Sequence, residues 1–229
     1  MEGSGPAHPA GESPAVATRR FVTAGIETCT ALNRADLAGR LRHALARLDE
    51  PSTVLYVAGE YKQGKSKLIN ALVGSDVCPV DDDLSTTTVT WLHHHEPAIA
   101  HIRLRSKGEP AVDAIAFDEI RHYASEQGNR ENRLGIDIVD IGLPSPVLAA
   151  GLTVVDSPGA GALRAGSGEA ALSFLPYADA LVLVSDASAE LSVQEIAFLQ
   201  RALTLCPHVL VVLTKIDLYR EWPRIAELD

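Results

Sequence analysis

Eight residues constrain this chain more than any others: Gly59-Glu60-Tyr61-Lys62-Gln63-Gly64-Lys65-Ser66 spells GxxxxGK[ST] without a departure. It lies between Thr53–Ala58, a short β-branched run, and a helical pattern from Lys65 to Val73, the strand–loop–helix setting that the motif requires. The chemistry explains the spacing. Gly59 and Gly64 let the backbone wrap close to phosphate oxygens and turn its N–H groups inward. Lys65 is a mobile cation for the β- and γ-phosphates, and the Ser66 hydroxyl is placed to ligate Mg²⁺. The helix that opens there adds the positive end of its dipole. Glu60, Tyr61, Lys62, Gln63 and Lys67 complete the candidate nucleotide-contacting set. A glycine-containing turn that binds nothing is the alternative, and a full match in full context speaks against it.

Such a loop needs a sheet to hang from. Thr86–Leu92, Ile99–Leu104, Leu134–Ile141, Leu152–Asp156, Ala180–Ser185 and His208–Leu213 read as strands, and Phe117–Gln127, Gly168–Leu175 and Ser192–Leu203 as helices. Apolar runs alternating with helices in this way predict a three-layer α/β/α fold with a mostly parallel sheet covered on both faces. Before Ser52 the pattern differs. Met1–Thr18 is rich in Gly, Pro, Ala and small polar residues and reads as a flexible tail. Leu37, Leu41, Leu45 and Leu48 recur at spacings of four, four and three, an apolar stripe on a helix expected from about Glu27 to Leu48 and ended by Pro51. The expected division is a tail over 1–18, a helical arm over 19–51 and a nucleotide-binding domain over 52–229.

Two further motifs stand at strand ends. Asp156-Ser157-Pro158-Gly159 follows Leu152–Val155. A carboxylate there, facing the cradle, can hold Mg²⁺ through water, and Gly159 leaves its N–H free to meet a γ-phosphate. The same four residues are also ordinary turn chemistry, so their weight comes from position. Thr214-Lys215-Ile216-Asp217 follows Val209–Leu213. A buried Asp217 carboxylate would accept two N–H bonds from the N1 and N2 edge of guanine, a donor pair that adenine lacks. Three motifs in this order read as a site for GTP and GDP, with Mg²⁺ as cofactor.

With those residues in view, the chain resembles a P-loop GTPase, and more narrowly the GTPase domain of the bacterial dynamin-like proteins, including the isoniazid-inducible ones of actinobacteria. GEYKQGKSKLINALVG and CPVDDDLSTTTVTW are similar to that family's cradle and first switch. GLTVVDSPGAG and YADALVLVSDASAELSVQEIAFL are similar to its second switch and the strand–helix unit that follows. The resemblance covers about Ser52 to Leu218. It implies hydrolysis of GTP, coupled through GTP-dependent self-association of GTPase domains to remodelling of a membrane. Membrane lipid would be met through regions absent from this chain. It implies a cytoplasmic protein, peripheral at the inner face of the cell membrane, whose arm helix is part of a neck. It also implies that Thr86, with Thr87 as runner-up, ligates Mg²⁺ and orients the attacking water. Read from the residues alone, Ser85 to Thr88 is simply the start of a strand.

Two departures from the pattern bear on catalysis. Small GTPases place Gln just after DxxG to orient water, and here that position is Ala160. Many dynamins carry Ser at the fourth cradle position, where it helps hold a monovalent cation, and guanylate-binding relatives carry Arg; here it is Lys62. The resemblance therefore makes Lys62 a candidate cis-acting charge, against the plainer reading of a solvated loop lysine. Ala160 keeps open a nucleotide-gated assembly module with little hydrolysis, and an ATP-using P-loop protein is the more distant alternative.

The remaining features exclude rather than add. Twenty basic residues against thirty acidic give a net charge of −10, with no basic stripe to displace counterions, so nucleic acid is not an expected partner. No apolar run approaches the roughly 18–20 residues that span a bilayer. Cys29, Cys78 and Cys206 lie far apart with no CxxC pair, which reads as reduced thiols. His93-His94-His95 on a strand would put His93 and His95 on one side and His94 on the other, with no third ligand type to complete a metal site. Asp81-Asp82-Asp83 reads as a solvated loop. The chain ends at Asp229, twelve residues beyond Asp217, before the strand and base-backing loop expected of a P-loop GTPase, so a truncated domain with an uncovered sheet edge is expected.

Overall fold

In β1 (Thr53–Ala58) successive side chains face opposite ways, and both sides of that strand are apolar: Tyr56 and Ala58 point to one core, Val57 to another. A strand with two apolar faces must be covered twice, which is the physical origin of the layered architecture. The computed structural model describes residues 14–32, 34, 37, 38, 41, 42, 44, 45, 48, 52–80, 88–104, 111–157, 172 and 174–228. They fall into two compact units divided after Ser52.

The larger unit is built on an eight-stranded sheet in the order β4-β3-β5-β2-β6-β1-β7-β8. Its further strands are β2 (Val89–His94), β3 (Ile99–Leu104), β4 (Val112–Ala114), β5 (Ile136–Leu143), β6 (Leu152–Asp156), β7 (Ala180–Asp186) and β8 (His208–Thr214). β1 runs parallel to β6 and β7, β7 to β8, and β2 to β5. β2 meets β6 antiparallel, as β3 meets β5 and β4. The sheet is mostly parallel, as expected, with its antiparallel pairings on the β2–β4 side.

Alternation continues outward from β1. Val154 of β6 and Val182 and Val184 of β7 join Val57 in the first core, which helix α2 (Lys65–Val73) covers with Ile69 and Val73. Val155, Leu181 and Leu183 join Tyr56 in the second, which helix α5 (Val193–Leu205) covers with Phe198 and Ala202. Two shorter helices, α3 (Ile120–Ala124) and α4 (Pro146–Ala149), add Ile120, Ala124 and Leu148 to the first core. α2 stops at Gly74, whose left-handed φ of 73° lets its N–H close on the Asn70 carbonyl. The buried Asn70 amide then holds the chain that leaves the helix, accepting from the Val77 and Cys78 N–H groups and donating to the Cys78 carbonyl. A last helix, α6 (Trp222–Leu228), is exposed.

Some boundaries move. The helix expected over Phe117–Gln127 is a 3₁₀ turn, Phe117–Glu119, followed by only five α-helical residues. Ser125 ends it by donating its hydroxyl to the Arg121 carbonyl. β5 starts at Ile136 instead of Leu134, because the Asn132 side chain pairs with both the N–H and the carbonyl of Ile136. Residues 168–171 and 173 of the helix expected over Gly168–Leu175 lie outside the described residues. Leu172 and Phe174 are helical, and Leu175–Tyr177 is a 3₁₀ turn. His93 and His95 do share a side, with ring centroids 6.4 Å apart.

The smaller unit corrects the reading of residues 1–51. Helix α1 (Pro14–Ala31) begins inside the stretch expected to be tail, at a proline whose missing N–H costs nothing in the first helical turn. It also ends within the helix expected from Glu27 to Leu48. The Arg34 N–H closes on the Cys29 carbonyl at 2.8 Å, five residues back, a helix-terminating bond. Residues 37, 38, 41, 42, 44, 45 and 48 are helical again. A Cβ on Gly25 would stand 3.0 Å from Leu41 Cδ1, so the two helical stretches pack closely at that glycine. Two packed segments therefore replace the single arm helix. Among the described residues no helix is long and apolar enough to cross a membrane.

Candidate functional site

The C-terminal ends of β1, β6 and β8 deliver the three motifs to one edge of the sheet, the place where open α/β sheets bind ligands. Gly59 leaves β1 with φ 150°, and an added Cβ would lie 2.2 Å from the Val184 carbonyl oxygen, so no other residue fits. Lys62 and Gly64 both adopt left-handed backbone, with φ 64° and 93°. Gln63 between them is held at its carbonyl, which accepts from Thr214 Oγ1 at 2.6 Å. The Thr214–Asp217 motif thus opens by gripping the cradle loop.

Lys65 is buried, and its Nζ donates to the Glu60 carbonyl at 2.6 Å, so the ammonium lies inside the loop. Burial pulls its pKa below the usual lysine range, against the upward pull of Asp156 and Glu60. Ser66 Oγ donates to Asp156 Oδ2 at 3.2 Å, and Asp156 is fully buried. The sequence assigned both residues to one metal ion, and the structure brings them into contact across 90 positions. Their oxygens are the hard donors that Mg²⁺ prefers, and nucleotide-associated Mg²⁺ uses one or two protein ligands with phosphate and water for the rest. The residues present therefore fit that ion. Among the described residues no group of three or more His, Cys, Asp and Glu side chains could hold a metal.

Tyr61 and Lys62 are exposed at the cradle rim, with Lys62 Nζ 5.4 Å from the Tyr61 ring centroid. Lys67 is exposed on the first turn of α2. Thr86 and Thr87, and Gly159 with Ala160, lie outside the described residues, as do Asp81 to Asp83. In the Thr214–Asp217 motif Lys215 takes a left-handed φ of 55°, and its Nζ pairs with Asp186 Oδ2 at 2.8 Å. Asp217 departs from expectation. It is exposed in the turn after β8, because that strand is the last in the sheet and nothing among the described residues covers the turn.

Two residues outside the motifs, Asp186 and Glu195, complete the site. Asp186 ends β7 and accepts from Lys215 and from the N–H and hydroxyl of Ser188. Burial alone would raise its carboxyl; those hydrogen bonds and the Lys215 charge together outweigh it and hold the pKa below the usual carboxylate range. Glu195, buried on α5, accepts from Gln63 Nε2 at 3.2 Å. Ser192-Val193-Gln194-Glu195 is a legible capping box, and its contact with the cradle is not.

Comparison with known proteins agrees with this geometry. The sequence profile described as Dynamin family matches residues 55–216. Isoniazid-induced protein IniA of Mycobacterium tuberculosis is 37% identical over 201 residues, 86% of this chain and 31% of IniA, so the chain spans about a third of that relative. A probable transmembrane GTPase, the FZO-like chloroplastic protein of Arabidopsis thaliana, is 26% identical over 184 residues, 80% of this chain and 17% of its own. The solved structure of an oligomerised bacterial dynamin pair aligns with TM-score 0.61 at 18% identity, over 93% of this chain and 35% of that one. The fold, the converging motifs and a family profile over most of its length lead to one conclusion: this chain belongs to the dynamin family.

Proposed function

We propose that this chain binds GTP with Mg²⁺ and hydrolyses it to GDP and phosphate. The observation that carries the reading is the meeting, at one sheet edge, of buried Lys65, the Ser66–Asp156 contact and the Thr214–Lys215 loop. Gly59 to Lys67 wrap the phosphates, with Lys65 as the paired cation. Ser66 and Asp156 hold the metal and Thr86 joins them, Gly159 meets the γ-phosphate, and Lys215 and Asp217 read guanine. Mg²⁺, when bound, neutralises charge on the phosphate oxygens. Lys62 supplies further positive charge in cis from its left-handed position on the rim. By its family, the protein self-associates through the GTPase domain and works at the inner face of the cell membrane, with lipid contact made outside this chain. The oligomerised bacterial dynamin pair, described as sensing and tethering membranes, supports that extension.

The deciding experiment is Mg²⁺-dependent binding of a fluorescent GTP analogue, competed by GTP and by ATP, on wild type and Asp217→Ala. Displacement by GTP alone, with the preference lost in the variant, is the expected result. Equal displacement by ATP would overturn guanine recognition. Lys62→Ala is expected to slow turnover by a factor on the order of 10³, and an unchanged rate would return Lys62 to the solvent. Ala160 favours a second reading, a nucleotide-gated assembly module with little hydrolysis. Turnover measured against protein concentration separates the two, since an enzyme activated by pairing turns over faster per molecule as concentration rises.

A further inference from the structure

Gln63 is held from two sides by distant parts of the fold. Its carbonyl accepts from Thr214 Oγ1 on β8, and its side-chain amide donates to Glu195 Oε1 on α5, 132 positions away. Its neighbours Lys62 and Gly64 are both left-handed, so the loop reverses at each side of it. Pinning Gln63 therefore sets the peptide planes whose N–H groups must face a phosphate.

Glu195 is unusual for a capping residue. In a capping box the N3 glutamate reaches back to the N-cap N–H at a helix end, and the Ser192 N–H and hydroxyl, each 2.8 Å from Oε2, account for that role. They do not account for the other oxygen or for the burial, since Glu195 is only 3% exposed. Carboxylates are rarely buried this deeply without a partner. With Oε2 fixed by the helix terminus, Oε1 has one direction left, toward Gln63 Nε2 at 3.2 Å.

We propose that Glu195 is a positioning residue of the phosphate cradle, acting through Gln63 to hold the Lys62–Gly64 backbone in its phosphate-accepting form. The inference rests on the reading of Gly59–Ser66 as a polyphosphate site, and it is indifferent to which base the nucleotide carries.

The test uses the full chain and a fluorescent nucleotide displaced separately by GTP, ATP and inorganic triphosphate. Glu195→Met keeps the volume and removes both oxygens, Gln63→Ala removes the partner and leaves the cap intact, and Ser192→Ala weakens the cap alone. Glu195→Met and Gln63→Ala are each expected to lose about tenfold in affinity for inorganic triphosphate and for GTP alike, the worth of one buried charge-assisted hydrogen bond. Combining them should lose no more than either alone. Ser192→Ala should lower the thermal midpoint without changing either affinity. Glu195→Gln should stay within about threefold of wild type, because its amide can donate to Gln63 Oε1, a buried oxygen without a hydrogen-bond partner. A Ser192→Ala loss equal to that of Glu195→Met, additive losses in the double variant, or full affinity in Gln63→Ala would each overturn the proposal. Should Glu195→Met fail to fold, Gln63→Ala and Glu195→Gln decide alone. Equal displacement by ATP and GTP with the tenfold losses intact would remove the guanine reading and leave this one standing. A wild-type protein that binds none of the three would remove both.

Discussion

Lys65, in its proposed role as the phosphate's cation, sets function against stability at a single residue. Burial lowers its pKa, so the folded chain holds this proton less tightly than the unfolded one, and stability rises with pH through the interval below 10.5. At neutral pH the buried ammonium is a cost to the fold. Lys65→Met is accordingly expected to leave the thermal midpoint unchanged or higher while abolishing nucleotide binding, a pair of results that melting and titration would read together. Affinity of the wild type for triphosphate should fall as the pH climbs toward 10.5, because the deprotonated amine no longer pairs with phosphate. Asp186 has the opposite consequence. Its depressed pKa contributes stability that is complete above about 4 and is lost as the pH falls through the lower folded value. Gly59→Ala tests packing instead of charge. With Val184 main chain 2.2 Å from the new methyl, a loss of about 1–3 kcal/mol or more is expected in urea unfolding.

At the scale of elements, the reading of the sequence succeeded where one physical cause dominated. The cradle was legible because backbone geometry dictates glycine at Gly59 and Gly64, and α5 as a helical segment over Ser192–Leu203. β7 was legible as an apolar run, and its two-faced burial makes a firm prediction: Leu183→Ala, fully buried in the second core, should cost about 2–5 kcal/mol in equilibrium unfolding. Reading failed where a single hydrogen bond decides the boundary. Asn132 starts β5, Ser125 stops α3, and the Arg34 N–H closes α1 ahead of the leucine stripe that begins at Leu37. The same limit hid Glu195. Its capping role is written in four consecutive residues, but its bond to Gln63 spans 132 positions and no local pattern encodes it.

At the scale of the whole sheet, the strands were visible in the sequence but their order was not. Periodicity says that a strand is buried on two faces and is silent about its neighbours, so the antiparallel meeting of β2 with β6 had no sequence signal. The same topology leaves β8 at the edge, with Leu210 59% and Val211 39% exposed. Leu210→Lys should move the thermal midpoint little and reduce concentration-dependent light scattering, since a charge on an edge strand discourages strand-to-strand association. Edge position also separates the two ends of the proposed nucleotide site in time. The Gly59–Ser66 loop hangs from β1, paired on both sides and deep in the sheet, whereas Thr214 and Lys215 hang from a strand that, among the described residues, is paired on one side only. Native-state hydrogen exchange should find β8 amides opening well before those of β1. A nucleotide held across that difference would loosen at its base while its phosphates stayed gripped, so its departure would have a direction.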